Sequence, residues 1–520
     1  MINQNVTMNQ HRVTLRREDS PVLKKVLVVP TGTRLDEAVV QAGYGLRTHC
    51  GGAGTCGKCQ VIVGHQKILA CKTVIESDLD VLIPDASLRS DEDVVVLTGV
   101  HERGGVSPPM SPRTGHRYGI AVDIGTTTLA AELHDFTGEL PMQTVSRANP
   151  QRKFGDDVMA RIQNVMENLS ALTAMQESIV EAINGMTTEL AEKSGITPQD
   201  ISLMVVAGNT VMQSLLFGID PSPLGEFPFR APAETFPARR GSEIGLIMSA
   251  DGTVEALPIF GGFVGGDIVA GVLTLPTLHS SDSPRFLLDI GTNGEIVLAH
   301  RGELFTAATA AGPAFEGAKI EYGTIAVPGA IDRVDIVSGK VVVSTIGNNT
   351  AIGICGSGLI DAAATLLELG IILPTGRFAD KKSSFELVPA SESGIGEAIV
   401  LTQRDIRELQ LAAGAIRAGI TLLLQENGII PEDIETFYVA GGFGQSIRLS
   451  SARRVGLLPS IPPERFQFSG NTSLAGARAM LLNPDHAEIV SRLVRQSHHC
   501  DLAALPRFQQ VFAESMRWEF

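Results

Sequence analysis

Basic residues are the minority: 42 Lys and Arg against 57 Asp and Glu leave the 520-residue chain at a formal charge of −15. Such a surface repels nucleic acid and anionic lipid, whose phosphates call for a basic footprint. Aromatic residues amount to 5%, with one Trp and four Tyr, and no basic stripe is interleaved with them, which argues against a base-stacking platform. No run approaches the roughly 18 uninterrupted apolar residues of a membrane helix. The polar opening, Met1–Arg12, has no apolar stretch of a secretion signal. These absences predict a cytoplasmic protein with neither nucleic acid nor membrane as partner. Two nucleotide motifs are missing as well: there is no G-x4-G-K-[ST] and no G-x-G-x-x-G after an opening strand, which counts against P-loop and Rossmann folds.

What is present is glycine, at 54 residues, and a length beyond one hydrophobic core, so a multidomain chain with tight strand-to-helix turns is expected. Four of the six cysteines fall within 22 residues. Cys50, Cys56, Cys59 and Cys71 are spaced C-x5-C-x2-C-x11-C, and Gly51, Gly52, Gly54 and Gly57 lie among the first three. A loop that wraps an inorganic cluster must aim several N–H groups at sulfur, often with φ > 0, which glycine permits. A zinc site usually pairs two Cys-x2-Cys knuckles and only one is present; a disulfide pair suits a reducing compartment poorly. Three thiolates from one loop and one from afar is the [2Fe–2S] arrangement, with a first gap similar to adrenodoxin-like ferredoxins. Around it, Lys24–Val29 alternates as a strand, Leu35–Ala42 reads as a helix, and Gln60–Val63 is a strand before Ile68–Cys71. Together they predict an α+β β-grasp ferredoxin domain.

From Thr98 to His116 (TGVHERGGVSPPMSPRTGH) Gly, Pro and Ser dominate and periodicity disappears, which predicts a linker. Beyond it, Asp123-Ile-Gly-Thr-Thr-Thr128 ends an apolar strand, and Asp289-Ile-Gly-Thr-Asn-Gly294 repeats the pattern 166 residues later. Each turn offers N–H and O–H donors to a phosphate chain and an Asp to hold Mg²⁺ through water. A third element, Phe437–Gly444 (FYVAGGFG), resembles the adenosine motif of the actin/hexokinase/Hsp70 superfamily, and Ile354–Asp361 reads as a Gly-rich turn into a helix lining the same cleft. Expected phosphate and Mg²⁺ contacts are Asp123, Gly125, Thr126, Thr127, Thr128, Asp289, Gly291, Thr292 and Asn293, with Gly356, Gly441 and Gly442 bordering the nucleoside. Asp267, Glu295 and Glu316 are candidates for positioning the hydrolytic water, with plain capping or turn-stabilising roles as the alternative.

An N-terminal ferredoxin joined to a duplicated actin-like ATPase resembles the ATP-dependent reductive activators of corrinoid proteins. Asn149-Pro150-Gln151, Gly155–Val158, Gly208–Met212, Leu224–Phe229, Phe263–Asp267, Ala311–Ala318 and Asn471–Ala477 support the resemblance. It implies a β-grasp domain over 12–97, a linker over 98–117, and two lobes of an α/β, RNase H-like, actin/hexokinase-type (ASKHA) domain over 118–284 and 285–520. It implies a [2Fe–2S] cluster, ATP and Mg²⁺ as cofactors. The implied activity is one-electron reduction of Co(II) to Co(I) in the corrinoid protein of a methyltransferase system, fed by an upstream electron donor; a homodimer is compatible with it. Two departures accompany it. Larger members carry a middle domain between ferredoxin and ATPase, and about 20 residues separate the two here, so that domain is expected to be reduced or missing. Some relatives hold [4Fe–4S] centres. The alternatives are a redox-sensing iron–sulfur/ATP switch and a low-potential activator of another radical or dehydratase enzyme. Outside these sites, Cys355 reads as a small buried residue, His498-His499-Cys500 as a partly exposed segment rather than a metal site, and Val158, Ile162 and Met166 as one buried helix face.

Overall fold

The computed structural model describes residues 10–17, 24–42, 44, 46, 59–64, 66–84, 87, 117–138, 141–441 and 447–518. Within its first part lies a five-stranded mixed sheet. Strand Gln10–Arg17 pairs antiparallel with Lys24–Pro30 and parallel with Leu79–Ile83, which continues through Gln60–Val63 to the edge strand Gln66–Leu69. In strand Gln10–Arg17 Val13 and Leu15 are buried while their neighbours are not, the period-2 pattern of a sheet with one covered face. The cover is helix Leu35–Gln41, which buries Leu35, Ala38 and Val39 at i, i+3 and i+4. This is the expected β-grasp unit, with one correction: its first strand begins at Gln10, ahead of the boundary placed at 12, because the alternation of Val13 and Leu15 runs back into the polar N-terminus. The linker, 98–116, lies outside the described residues.

The rest of the chain repeats one design twice. In the first half an antiparallel meander, Tyr118–Ile124, Thr128–Asp135 and Gln143–Ala148, is extended beside its first strand by Ile201–Gly208 and Thr253–Ala256, both parallel. In the second half Arg285–Ile290, Gly294–His300 and Glu303–Thr309 are extended by Thr436–Ala440 and Phe466–Gly470. Both sheets thus read third-second-first-fourth-fifth, the duplicated RNase H-like order that the two Asp-Ile-Gly-Thr turns announced. One core lies under helices Val158–Glu167, Ser170–Ser194 and Thr210–Leu216, another under Gly356–Glu368 and Gln403–Glu426. On the first of these helices Val158, Ile162 and Val165 are buried, but Met166 is 45% exposed. A 3.6-residue period carries the apolar stripe to position 165 rather than 166.

A third core joins the two sheets through helices Gly266–Thr274 and Thr472–Leu482. They cross so closely that a Cβ on Gly476 would lie 2.4 Å from the Cα of Ala270. Gly476→Ala is therefore expected to lower stability by about 1–3 kcal/mol through overpacking, against a helix-propensity gain of at most about 1 kcal/mol. Urea unfolding checks this: a midpoint that rises would show that the helices separate without cost. Among the described residues no helix is long and apolar enough to cross a membrane.

Candidate functional site: two phosphate turns, an acidic cleft and a thiol pair

The two turns form differently. In the first, Gly125 donates its N–H to the carbonyl of Thr128 at 3.0 Å, and a Cβ on Gly125 would sit 2.5 Å from that oxygen. Glycine is required there by the turn itself. In the second, Gly291 donates to the carbonyl of Asn293 at 2.9 Å, yet a Cβ would meet only that oxygen, at 3.7 Å. The space beside Gly291 is open, a cradle that fits a group approaching the backbone from the cleft.

Each turn follows a strand ending in aspartate, and the sheets bring these aspartates to one cleft. Asp123 accepts hydrogen bonds from Asn471 Nδ2 at 2.8 Å and Ser473 Oγ at 2.6 Å. Asp289 lies directly across its hairpin from Glu295, whereas Asp123 faces Ala130 at the matching place in the first sheet. Burial, then the charge of Asp123, pushes Asp289 up to about 7. Burial and Asp289 push Glu295 to about 8, against a hydrogen bond from Asn293. Asp267 is raised by burial, then by Glu295, Asp289 and Asp123. Asp123 is raised by burial, with its two hydrogen bonds opposing. Four buried carboxylates thus share a site short of positive charge; among the described residues no three such side chains are grouped to ligate a metal ion directly, so a divalent cation would be held there through its water shell.

Glu316 is placed otherwise. It follows the left-handed Gly312 (φ 75°) in the short turn Pro313–Glu316, and its oxygens accept from Thr127 Oγ1 at 2.5 Å and Thr292 Oγ1 at 2.7 Å. One carboxylate therefore ties a hydroxyl of the first turn to one of the second. Burial raises its pKa and the two threonines oppose that.

Behind the first turn stands Arg161, fully buried and absent from the sequence-based set. It donates to the carbonyls of Thr126 (2.5 Å) and Gly155 (2.9 Å) and to Gln151 Oε1 (3.3 Å). Burial pulls its pKa down to about 9. Asn149 donates to the carbonyl of Gly125 at 2.8 Å, and Asn209 to Thr126 Oγ1 at 2.9 Å. The Asn-Pro-Gln and Gly-Asn-Thr motifs thus brace the first turn from two sides. Gly265 packs onto the backbone of Asn209, a Cβ there coming within 2.4 Å of its Cα, which fixes the start of the helix carrying Asp267.

Gly441, at φ 90°, abuts the second aspartate: a Cβ would be 2.8 Å from Asp289 Oδ1 and 2.5 Å from the carbonyl of Ile290. Gly442 lies outside the described residues. Gly356 is buried at the start of helix Gly356–Glu368, which is tied to Arg448 through Asp361 at 3.1 Å. Cys355 is buried beside Ser357, and His498 and His499 are exposed, as expected.

In the β-grasp unit, Cys59 and Cys71 are both buried and their sulfurs are 3.2 Å apart. Two separate soft donors converge on one point, which fits iron–thiolate ligation. Cys50 and Cys56 lie outside the described residues.

The acidic cleft has a pH signature. Raised carboxylates bind more protons folded than unfolded, so their contribution to stability is greatest near pH 4 and is lost as pH climbs through about 7–8. Nucleotide-free protein in EDTA is expected to melt lower at pH 8 than at pH 6, and added Mg²⁺ to raise melting more at pH 8. Equal Mg²⁺ shifts at the two pH values would contradict the assignment.

Three family models match in series: the 2Fe-2S iron-sulfur cluster binding domain over 18–81, the RACo middle region over 118–280, and the C-terminal ASKHA domain of RACo over 283–519. The first supports the [2Fe–2S] reading over zinc or a disulfide, and the last supports nucleotide binding. The stretch described as the middle region contains the first of the two duplicated sheets, so the middle region expected to be reduced or missing is present, and it is the stretch read from the sequence as the first lobe. A corrinoid activation enzyme, RamQ, of Eubacterium limosum is 31% identical, over 95% of this chain and 97% of that protein. A [Co(II) methylated amine-specific corrinoid protein] reductase of Methanosarcina barkeri is 29% identical, over 76% of each. A solved reductive activator for corrinoid, iron-sulfur protein superposes with a TM-score of 0.71 at 30% identity, covering 98% of both chains. With its ferredoxin and ASKHA units in this order, the chain belongs to the family of reductive activators of corrinoid proteins.

Proposed function

We propose that this chain reduces the Co(II) centre of a corrinoid protein to Co(I) by one electron, and that ATP binding and hydrolysis make the step possible. Cys50, Cys56, Cys59 and Cys71 would hold the [2Fe–2S] cluster, which supplies a single electron at low potential. A ferredoxin unit over 10–97, a linker over 98–117, and ATPase lobes over 118–284 and 285–520 are the proposed division of labour. Thr126, Thr127, Thr128, Thr292 and Asn293 would receive the phosphates, and Asp123 and Asp289 would organise Mg²⁺, which neutralises phosphate charge.

The observation that carries the reading is the bridge from Thr127 through Glu316 to Thr292. Phosphates entering the cleft compete for both hydroxyls, so nucleotide must rearrange the only carboxylate that links the two turns among the described residues. That couples ligand binding to hinge motion of the lobes. The coupling has a definite task. A plant-type cluster sits near about −400 mV, and each ~59 mV of uphill one-electron transfer costs about 1.4 kcal/mol. Glu295, pushed to about 8 and so within reach of the working pH, and Asp267, raised by burial and by the neighbouring carboxylates, are the proposed positioning groups for the attacking water, with Glu316 next to the phosphates.

The test is titration of a Co(II) corrinoid protein with the reduced enzyme, with and without ATP, followed by the Co(I) absorption. Co(I) is expected to accumulate with ATP and to stay low without it. Equal yields would refute the coupling.

A further inference from the structure

On the second lobe, a concavity of about 1000 Å³ that shares no lining residue with the acidic cleft is lined by Arg377, Lys381, Lys382, Arg407 and Arg517. No carboxylate lines it among the described residues. Lys382 reaches out to Asp380 at 2.9 Å; Arg377, Lys381 and Arg407 make no ion pair among the described residues. In a chain of net charge −15, five cations around one hollow are a strong local reversal.

The hollow is built, not incidental. Gln410, buried, donates to the carbonyls of Thr375 (3.2 Å) and Met516 (2.8 Å). Gln403 donates to the carbonyl of Gly376 at 2.7 Å and accepts from the N–H of Phe378. Gly376, at φ 80°, leaves no room for a Cβ, which would lie 2.4 Å from Gln410 Oε1. Two glutamines thus pin the turn carrying Arg377 to the C-terminal segment carrying Arg517, whose carbonyl is held by Arg417 at 3.0 Å.

We propose that this cleft binds a compact small molecule bearing two or more phosphate groups, at a site separate from the nucleotide cleft. Screening confines a charge's reach to about 8 Å at physiological salt. A small polyanion seated in the hollow therefore feels chiefly the five cations. An extended one, such as nucleic acid or a membrane, must also face the acidic remainder of the surface. Arginine forks suit phosphate oxygens, and the volume is that of a small-molecule site.

The test titrates inorganic tripolyphosphate calorimetrically into full-length protein saturated with Mg²⁺-ADP in excess Mg²⁺. One further equivalent is expected to bind, with affinity falling about tenfold or more in R377Q/K381Q/R407Q and falling again between 50 and 200 mM salt. ATP hydrolysis and melting of the variant should match the parent, since all three side chains are exposed. Lys381→Gln alone, at an exposed turn, is expected to give a partial loss and covers a triple variant that misfolds. The proposal is overturned if Mg²⁺-ADP removes all tripolyphosphate binding, if the variants bind as the parent does, or if hexaglutamate binds as tightly, which would make the hollow a site for acidic polypeptide.

Discussion

Replacing Cys71 with serine is expected to lower Co(II)-corrinoid reduction roughly 100-fold or more, while ATP hydrolysis stays within about twofold of the parent. Cys71 sits in the short turn Ala70–Lys72, 3% exposed, with its sulfur 3.2 Å from that of Cys59. Serine keeps the shape and removes the soft donor, so the core of the β-grasp unit is little disturbed while one iron loses a ligand. Iron per chain and visible absorption separate a lost cluster from a lost fold. Cys355→Ser is the control: that thiol is equally buried but lies beside Ser357 in the other unit, so both readouts should survive. Full iron content with unimpaired reduction in the Cys71 variant would remove Cys71 from the ligand set.

Much of this protein was legible in its sequence because the informative chemistry is local. A strand that ends in Asp and turns through Gly125 to Thr128 closes its own hydrogen bond within four residues, and its repetition at Asp289 announced the duplication before any sheet was seen. The four-cysteine spacing is local in the same sense. What stayed hidden depends on distant pairs. Asn471 and Ser473 reach Asp123 across 348 and 350 residues, and Glu316 reaches Thr127 across 189. Their motifs were visible as helix starts and Gly-rich turns, but nothing local says which carboxylate or hydroxyl they meet. Arg161 was missed for another reason. An arginine beside Ile162 on an amphipathic helix reads as solvent-facing, and its burial is made tolerable by distant acceptors, the carbonyls of Thr126 and Gly155 and the side chain of Gln151. The signal was faint but present: Arg161 is three residues from Val158 and four from Val165, so it borders the apolar stripe.

Asp289→Asn is expected to move activity and stability in opposite directions. ATP hydrolysis should fall by about 100- to 1000-fold, the scale on which a charged group aimed at phosphate chemistry is felt. Melting of the nucleotide-free protein at pH 8 should rise. The reason lies in the company Asp289 keeps. Burial and Asp123 raise it to about 7, and it in turn raises Glu295 and Asp267. A neutral amide of the same size relieves three repulsions at once and still fits beside Gly441, whose missing Cβ leaves the space. At pH 5.5 the folded aspartate is protonated for the most part while the unfolded one is not, so the gain in melting should be smaller than at pH 8 and vanish only near pH 4. The same variant should retain its iron, and its Co(I) yield with ATP should drop to the yield the parent gives without it. A variant that loses stability along with activity would make Asp289 a structural residue of the hairpin. Opposite signs would mean that the cleft carries electrostatic strain which only a bound cation relieves. Nucleotide entry with Mg²⁺ would then tighten the very elements, the two aspartate turns, that the bridge through Glu316 holds together.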